Sequence, residues 1–220
     1  MVNLAATLRD VGVDAPERFL LAWHGETHRV RVRPNPSPDL DLPEPIRRLH
    51  EAASRWPQAV VQNELVPPRR DGDRIVFYVE NQGVYEWAAK DDRVWGRAPD
   101  DPDWIEEDAS LTAFILELLV FEAIMGADHG GSVAHLSRDG FAAVVAPLDP
   151  LPHGAWRWPS YPTRFFGGGR GVLVMAGPNP PGDDARSLTI FVGAREADAI
   201  SYLDDVVDER WEWFSRRDST

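Results

Sequence analysis

Residues 75–125 constrain the fold of this chain more than any other stretch. In the opening segment Ile75, Phe77 and Val79 alternate with Val76, Tyr78 and Glu80. A period of two marks a strand, because successive side chains leave opposite faces. Asn81, Gln82 and Gly83 interrupt the alternation. A three-residue loop ending in Gly is hairpin chemistry, since its last residue takes a left-handed backbone that Gly adopts without steric cost. The chain returns over residues 84–88 with Tyr85 and Trp87 on one face. It turns at Lys90-Asp91-Asp92 and adds a short third strand at Val94-Trp95. This predicts an antiparallel meander.

A helix follows over residues 110–125. Ser110 is the expected N-cap, its hydroxyl accepting from a free backbone N–H. Leu111, Phe114, Ile115, Leu118 and Leu119 recur at the spacing of one buried helical face. Glu117 and Glu122 are expected on a more solvated side, and Gly126 at the stop. A sheet with one apolar face and a helix able to cover it is the result.

The run Glu80-Asn81-Gln82-Gly83-Val84-Tyr85-Glu86-Trp87, followed by Val94-Trp95, an acidic loop with Trp104, and Ser110-Leu111-Thr112-Ala113-Phe114, resembles the SUKH superfamily of the Smi/Knr type. Residues 42–55 and 61–67 resemble that family's preceding helix and loop. The resemblance covers residues 40–125 and fades after residue 126. It implies an α+β fold without an established catalytic centre, in a family where many bacterial members resemble toxin-binding immunity proteins and others are interaction scaffolds. Glu80, Asn81, Gln82, Gly83, Tyr85, Trp87 and Trp95 are the motif positions, and their expected role is structural. Glu80 and Asn81 are expected to fix the hairpin turn, and Tyr85, Trp87 and Trp95 to be core or half-buried sheet residues.

Charge narrows the partners. Asp plus Glu number 36 against 23 Lys plus Arg, a net charge of −13. That argues against a general nucleic-acid or anionic-membrane binder, because phosphate contact needs basic surface. It suits a basic protein partner steered by long-range attraction, or simply serves solubility. The absence of cysteine excludes disulfides, thiolate metal sites and a Cys nucleophile, and fits a reducing cytoplasm. The N-terminus lacks the pattern of a signal peptide. The longest apolar run, residues 113–121, contains Glu117 and is too short to span a membrane.

Elsewhere, residues 4–11 and 16–23 read as short helices and residues 27–32 as a short strand. Prolines at 34, 36 and 38 make a stiff linker that would set residues 1–33 apart as an N-terminal extension, or form a long loop. Residues 43–55 read as a helix with Ile46, Leu49 and Ala53 facing in. Residues 60–66 are a loop or short strand closed by Pro67-Pro68, and residues 69–74 a polar turn. Residues 128–131 read as a flexible connection, 132–136 as helix or loop, and 141–145 as a strand. The proline-rich residues 147–162, with Trp156 and Trp158, read as an ordered surface loop and a further contact surface. Strands are expected at 164–166, 172–175 and 188–192, the first two joined by a glycine hairpin over 167–171. Residues 178–184 read as a turn-rich loop. A closing helix is expected over 196–214, where Ile200, Leu203, Val207, Trp211 and Phe214 fall at helical spacing.

Catalytic signals are weak. His24 and His28 stand four apart with no third ligand, and the remaining histidines are scattered. Ser137, Asp139 and a distant His form a triad on paper alone. The Gly167–Gly171 loop precedes a strand, where a phosphate loop precedes a helix with Lys-Ser/Thr. The strongest candidate is acidic: Asp100, Asp101, Asp103, Glu106, Glu107 and Asp108 surround Trp104 without an intervening base. Carboxylates around an aromatic suit capture of a partner's Arg or Lys. The alternatives are a solvated loop whose later acids complement the next helix's dipole, and a calcium site, whose spacing does not match an EF-hand.

The expectation is a single α+β domain over residues 1–220, with a mostly antiparallel sheet of about six strands packed on one face by helices. The expected function is non-catalytic protein binding: an immunity-type protein holding a basic toxin domain, possibly a nuclease, through Asp100, Asp101, Asp103, Trp104, Glu106 and Glu107. No cofactor, nucleic acid or membrane is implied. The alternative is an intracellular scaffold or regulatory adaptor.

Overall fold

The computed structural model describes residues 4–9, 12–26, 40–179 and 187–215. The expected strand at 27–32, the proline linker and His28 lie outside these residues, as does most of the expected loop at 178–184. The chain begins with helices α1 (Leu4–Arg9), α2 (Ala15–His24) and α3 (Glu44–Arg55). Five strands follow: β1 (Glu64–Asp71), β2 (Arg74–Val79), β3 (Glu86–Lys90), β4 (Arg93–Arg97) and β5 (Ile105–Ser110). They form an antiparallel sheet in chain order. Helix α4 (Leu111–Met125) leaves β5 directly, and Ser110 caps it by accepting from the Ala113 N–H.

The second sheet holds β6 (His129–Leu136), β7 (Asp149–Pro150), β8 (Arg164–Gly168), β9 (Val172–Asn179), β10 (Ser187–Ala194) and β11 (Trp211–Ser215). Its order is β11-β6-β10-β9-β8-β7, and every pair is antiparallel. The protein is therefore α+β with antiparallel sheets packed by helices, and its strands are divided between two sheets.

One core links the two. Ile75, Phe77, Tyr78, Trp87 and Val94 of the first sheet, the length of α4, and Phe165, Leu173 and Met175 of the second belong to one apolar cluster. Leu4, Leu8, Phe19, Leu20 and Trp23 of α1 and α2 join it. Strand β9 divides its side chains by its period of two: Leu173 and Met175 enter this core, while Val172, Val174 and Ala176 enter a second. That second core is closed by Val144, Ile200, Leu203 and Trp211.

Burial corrects several expectations. Glu117 and Glu122 are both 0 % exposed, so α4 has no solvated side. A helix apolar all round is a buried helix, and α4 has elements packed about its whole circumference. Strand β2 does not alternate simply, because its register passes from Val76↔Ala88 to Tyr78↔Trp87. Phe77 is the extra residue of a bulge, and Val76, Phe77 and Tyr78 are all buried. In α3 it is Ala52, rather than Ala53, that is buried with Ile46 and Leu49. Pro67 and Pro68 lie within β1, an edge strand, where the missing N–H groups cost least. The chain from Arg69 to Asp71 is strand as well, so the polar turn shortens to Gly72-Asp73.

The second half departs further. Residues 128–131 are not a flexible connection and 132–136 are neither helix nor loop, since β6 runs from His129 to Leu136. A Cβ on Gly130 would come within 2.1 Å of the Val192 carbonyl oxygen, so this glycine serves close strand approach. Residues 141–145 lie in helix α5 (Arg138–Val145), capped by Ser137, whose hydroxyl accepts from the Gly140 N–H. The closing helix does not form. A 3₁₀ helix, Ala197–Leu203, takes Ile200 and Leu203 into the second core, and β11 then adds to the free edge of β6. The Asp208 side chain turns the chain between them by accepting from the Arg210 N–H. Among the described residues no helix is long and apolar enough to cross a membrane.

Candidate functional site

The acidic segment divides on folding. Residues 105–110 are strand β5 rather than loop, so their side chains alternate. Glu107 turns inward and is buried, which removes it from any contact surface. Glu106 turns outward and pairs with Arg93. Trp104 is half-buried, with the Arg97 guanidinium 4.1 Å and the Arg74 guanidinium 6.0 Å from its ring centroid. The cations expected from a partner are thus supplied by the chain itself. Asp100, Asp101 and Asp103 remain exposed in the β4–β5 loop, and no ion pair joins them to another described residue. Asp101 orders the loop by accepting from the Asp103 N–H at 2.9 Å.

The cations nearby are already engaged. Arg97 pairs with Asp71 and Glu86, Arg69 with Glu86, Lys90 and Arg74 with Asp73. Arg74 also stacks 4.6 Å above the half-buried Trp95. The β2–β3 loop lies at the same end of the sheet, since Glu86 pairs with Arg97. It spans residues 80–85, longer than the three residues expected. Gly83 has φ +70°, as the turn requires. The Glu80 carboxylate accepts from the N–H groups of Gln82 and Val84, and Asn81 donates its N–H to the Asn63 side chain. Both residues fix the turn. Gln82 is exposed, while Tyr85 is half-buried with its ring 4.9 Å from that of the fully buried Trp87. Val84 and Ile105, 52 % and 47 % exposed, add apolar surface beside the acidic loop.

The buried carboxyls went unread in the sequence. Glu122 accepts from the backbone N–H groups of Val61, Gln62 and Asn63 and from the Tyr78 hydroxyl. It thereby ties the strand entering the first sheet to the end of α4. Among the described residues, Glu117 accepts only from Trp156 Nε1, at 2.9 Å, and its other oxygen is enclosed without a partner. Burial pushes its pKa up to about 8. Glu107 accepts from Trp87 Nε1 and the Arg157 N–H, and burial pushes it up to about 7. These two acids draw the proline-rich segment inward. Trp156 is fully buried between Phe114, stacked at 4.9 Å, and Phe165, while Trp158 is half-buried against Phe121. The expected contact surface of Trp156 and Trp158 is therefore core. The only sequence signal was two glutamates at positions surrounded by apolar helix residues.

The other candidates find structural places. Ser137 is engaged as a helix cap, and Gly167–Gly171 joins β8 to β9 as a hairpin. His153 bonds the Leu8 carbonyl. Among the described residues, no three His, Asp or Glu side chains are grouped to hold a metal ion. Comparison of the chain with protein-family models, curated proteins and solved structures returns no match.

Proposed function

We propose that this chain is a non-catalytic protein-binding domain of the immunity type, which acts in the cytoplasm by occupying a basic toxin domain. The observation that carries the reading is the loop of Asp100, Asp101 and Asp103, exposed and without a paired cation among the described residues while the neighbouring arginines are paired. Carboxylates already free of internal pairs meet a partner's Lys or Arg without first breaking a bond. Val84 and Ile105 beside the loop supply the apolar contact that charge alone lacks. The resemblance of residues 40–125 to the SUKH superfamily and the net charge of −13 point the same way.

The test is parallel capture from lysate of the source organism on the immobilised wild-type chain and on a variant with Asp100, Asp101 and Asp103 all changed to Asn. A single basic toxin-like partner, eluted by salt and lost on the variant, is expected. Equal capture by both would overturn the proposed surface. A set of housekeeping partners would replace the immunity reading with that of an adaptor.

A further inference from the structure

A half-open cavity of about 260 Å³ lies where the β8–β9 hairpin, the chain leaving α5 and the 3₁₀ helix meet. That volume falls just below the range that encloses drug-sized ligands, so the cavity suits a smaller molecule. Its lining sorts by depth. Val172 and Ala199 are buried, Leu148 and Tyr202 half-buried, and Gly169 and Arg170 exposed. The floor is therefore hydrocarbon beside an aromatic ring, and the rim is the turn of the hairpin. The cavity shares no residue with the acidic loop, so what it binds is independent of the partner proposed above.

The rim selects one sign of charge. Arg170 is the one charged side chain in the lining, and no ion pair or hydrogen bond joins its guanidinium to another described residue. The turn is closed by the Gly171 N–H, which donates to the Gly168 carbonyl at 3.1 Å. The N–H groups of its two central residues, Gly169 and Arg170, take no part in that bond and have no acceptor among the described residues. Backbone donors and a guanidinium thus stand on the same turn. A helix C-terminus nearby would oppose an anion. Two of the last carbonyls of α5 are already taken, however, Val144 by the Tyr202 hydroxyl at 2.9 Å and Val145 by the Leu148 N–H at 2.9 Å.

Floor and rim together specify the ligand. The planar fork of a guanidinium matches a carboxylate through two parallel N–H···O bonds. One cation balances one charge, and the lining holds no second cation for a dianion such as a phosphate monoester. The floor offers Leu148, Val172 and Ala199 no polar competition, since the Tyr202 hydroxyl already donates to Val144. Apolar contact there is what a hydrocarbon body gains on leaving water. We infer that this cavity binds a small apolar monocarboxylate, its hydrocarbon body against Leu148, Val172, Ala199 and the Tyr202 ring and its carboxylate on Arg170.

Phenylacetate is the probe, titrated into the full chain at about 0.15 M salt, where repulsion from the acidic protein at large is screened. The readout is the amide nuclear magnetic resonance spectrum. Phenylacetamide, which keeps the body without the charge, and acetate, which keeps the charge without the body, are the controls. Saturable shifts of the Gly168, Gly169 and Arg170 amides are expected with phenylacetate alone. Arg170 is exposed and holds no other described residue, so Arg170→Gln leaves the fold intact, which unchanged amide positions away from the hairpin verify. It is expected to weaken phenylacetate about fivefold, the scale of one exposed ion pair. Arg164→Gln, at an exposed arginine outside the cavity, is expected to change nothing. Equal binding of phenylacetamide or of acetate, an equal loss in Arg164→Gln, shifts that spare the hairpin, or no saturable shift up to about 10 mM phenylacetate would each overturn the inference.

Discussion

Helix α4 carries two wholly buried glutamates that face opposite fates. At its end, Glu122 receives three backbone N–H groups and a tyrosine hydroxyl. Near its middle, Glu117 receives one indole N–H and keeps an oxygen without a partner. Both sit in the same core at the same burial. The number of donors, rather than depth, decides whether the hydrogen-bonding capacity of a buried carboxyl is met. Glu122 works as a clasp on the chain entering the first sheet, one carboxyl gathering four donors. Glu117, pushed up to about 8 by burial, is a protonated polar group in an aromatic core near neutral pH.

The sharpest way to break this comparison is to neutralise each acid in turn. Glu122→Gln leaves one carbonyl for four donors and sets an NH₂ among N–H groups. It is expected to cost about 4 kcal/mol by chemical denaturation at pH 7. Glu117→Gln replaces a neutral carboxyl by a neutral amide, and is expected to cost less than about 1 kcal/mol. Equal costs would show that the two sites do not differ.

The pH dependence of stability tests the same distinction. Glu107 and Glu117 have folded pKa values of about 7 and 8, above the unfolded carboxyl range, so the folded state holds more protons in between. Stability then falls as pH rises through that window and levels off above about pH 8. Below about pH 6.5 the lowered pKa of His24 acts in the opposite sense, as do those of His50 and His153. From about pH 6.5 to 8 the expected loss is about 2 kcal/mol, and the double variant Glu107→Gln, Glu117→Gln should remove most of it. A wild-type stability that is flat or rising over this range would mean that these acids are ionised in the core.

The smallest effect concerns the clasp itself. Tyr78→Phe removes one of the four donors to Glu122 and leaves the ring packing with Trp87, 5.2 Å away, in place. A loss of about 1 kcal/mol is expected, and a loss as large as that of Glu122→Gln would mean that the hydroxyl alone holds the carboxylate.

The meander and α4 were legible because their signals are local. Gly83 turns β2 into β3, Asp91-Asp92 turns β3 into β4, and Ser110 caps the helix, each through bonds within a few residues. The acidic segment was legible in part. Asp100, Asp101 and Asp103 lie on the surface as their charges imply, but Glu107 turns inward, because the pairing of β5 with β4 is not visible in the charges of that segment. Trp156 was misplaced for a related reason. Its burial depends on Glu117, thirty-nine residues away in the chain, and on Phe165 across the segment. The helical spacing of Ile200, Leu203, Val207, Trp211 and Phe214 misled, because β6 offers an edge that only the assembled sheet possesses.

The amino-acid sequence by itself determined the α+β class, the antiparallel meander, the capped helix and the acidic excess, since all of these follow from periodicity, turn chemistry and charge along one chain. Tertiary structure alone decided which acids are buried, which arginines are spoken for, and where the β8–β9 hairpin, α5 and the 3₁₀ helix leave a cavity. Those outcomes depend on which distant groups donate to a carboxylate and which surfaces remain uncovered once two sheets and their helices have packed.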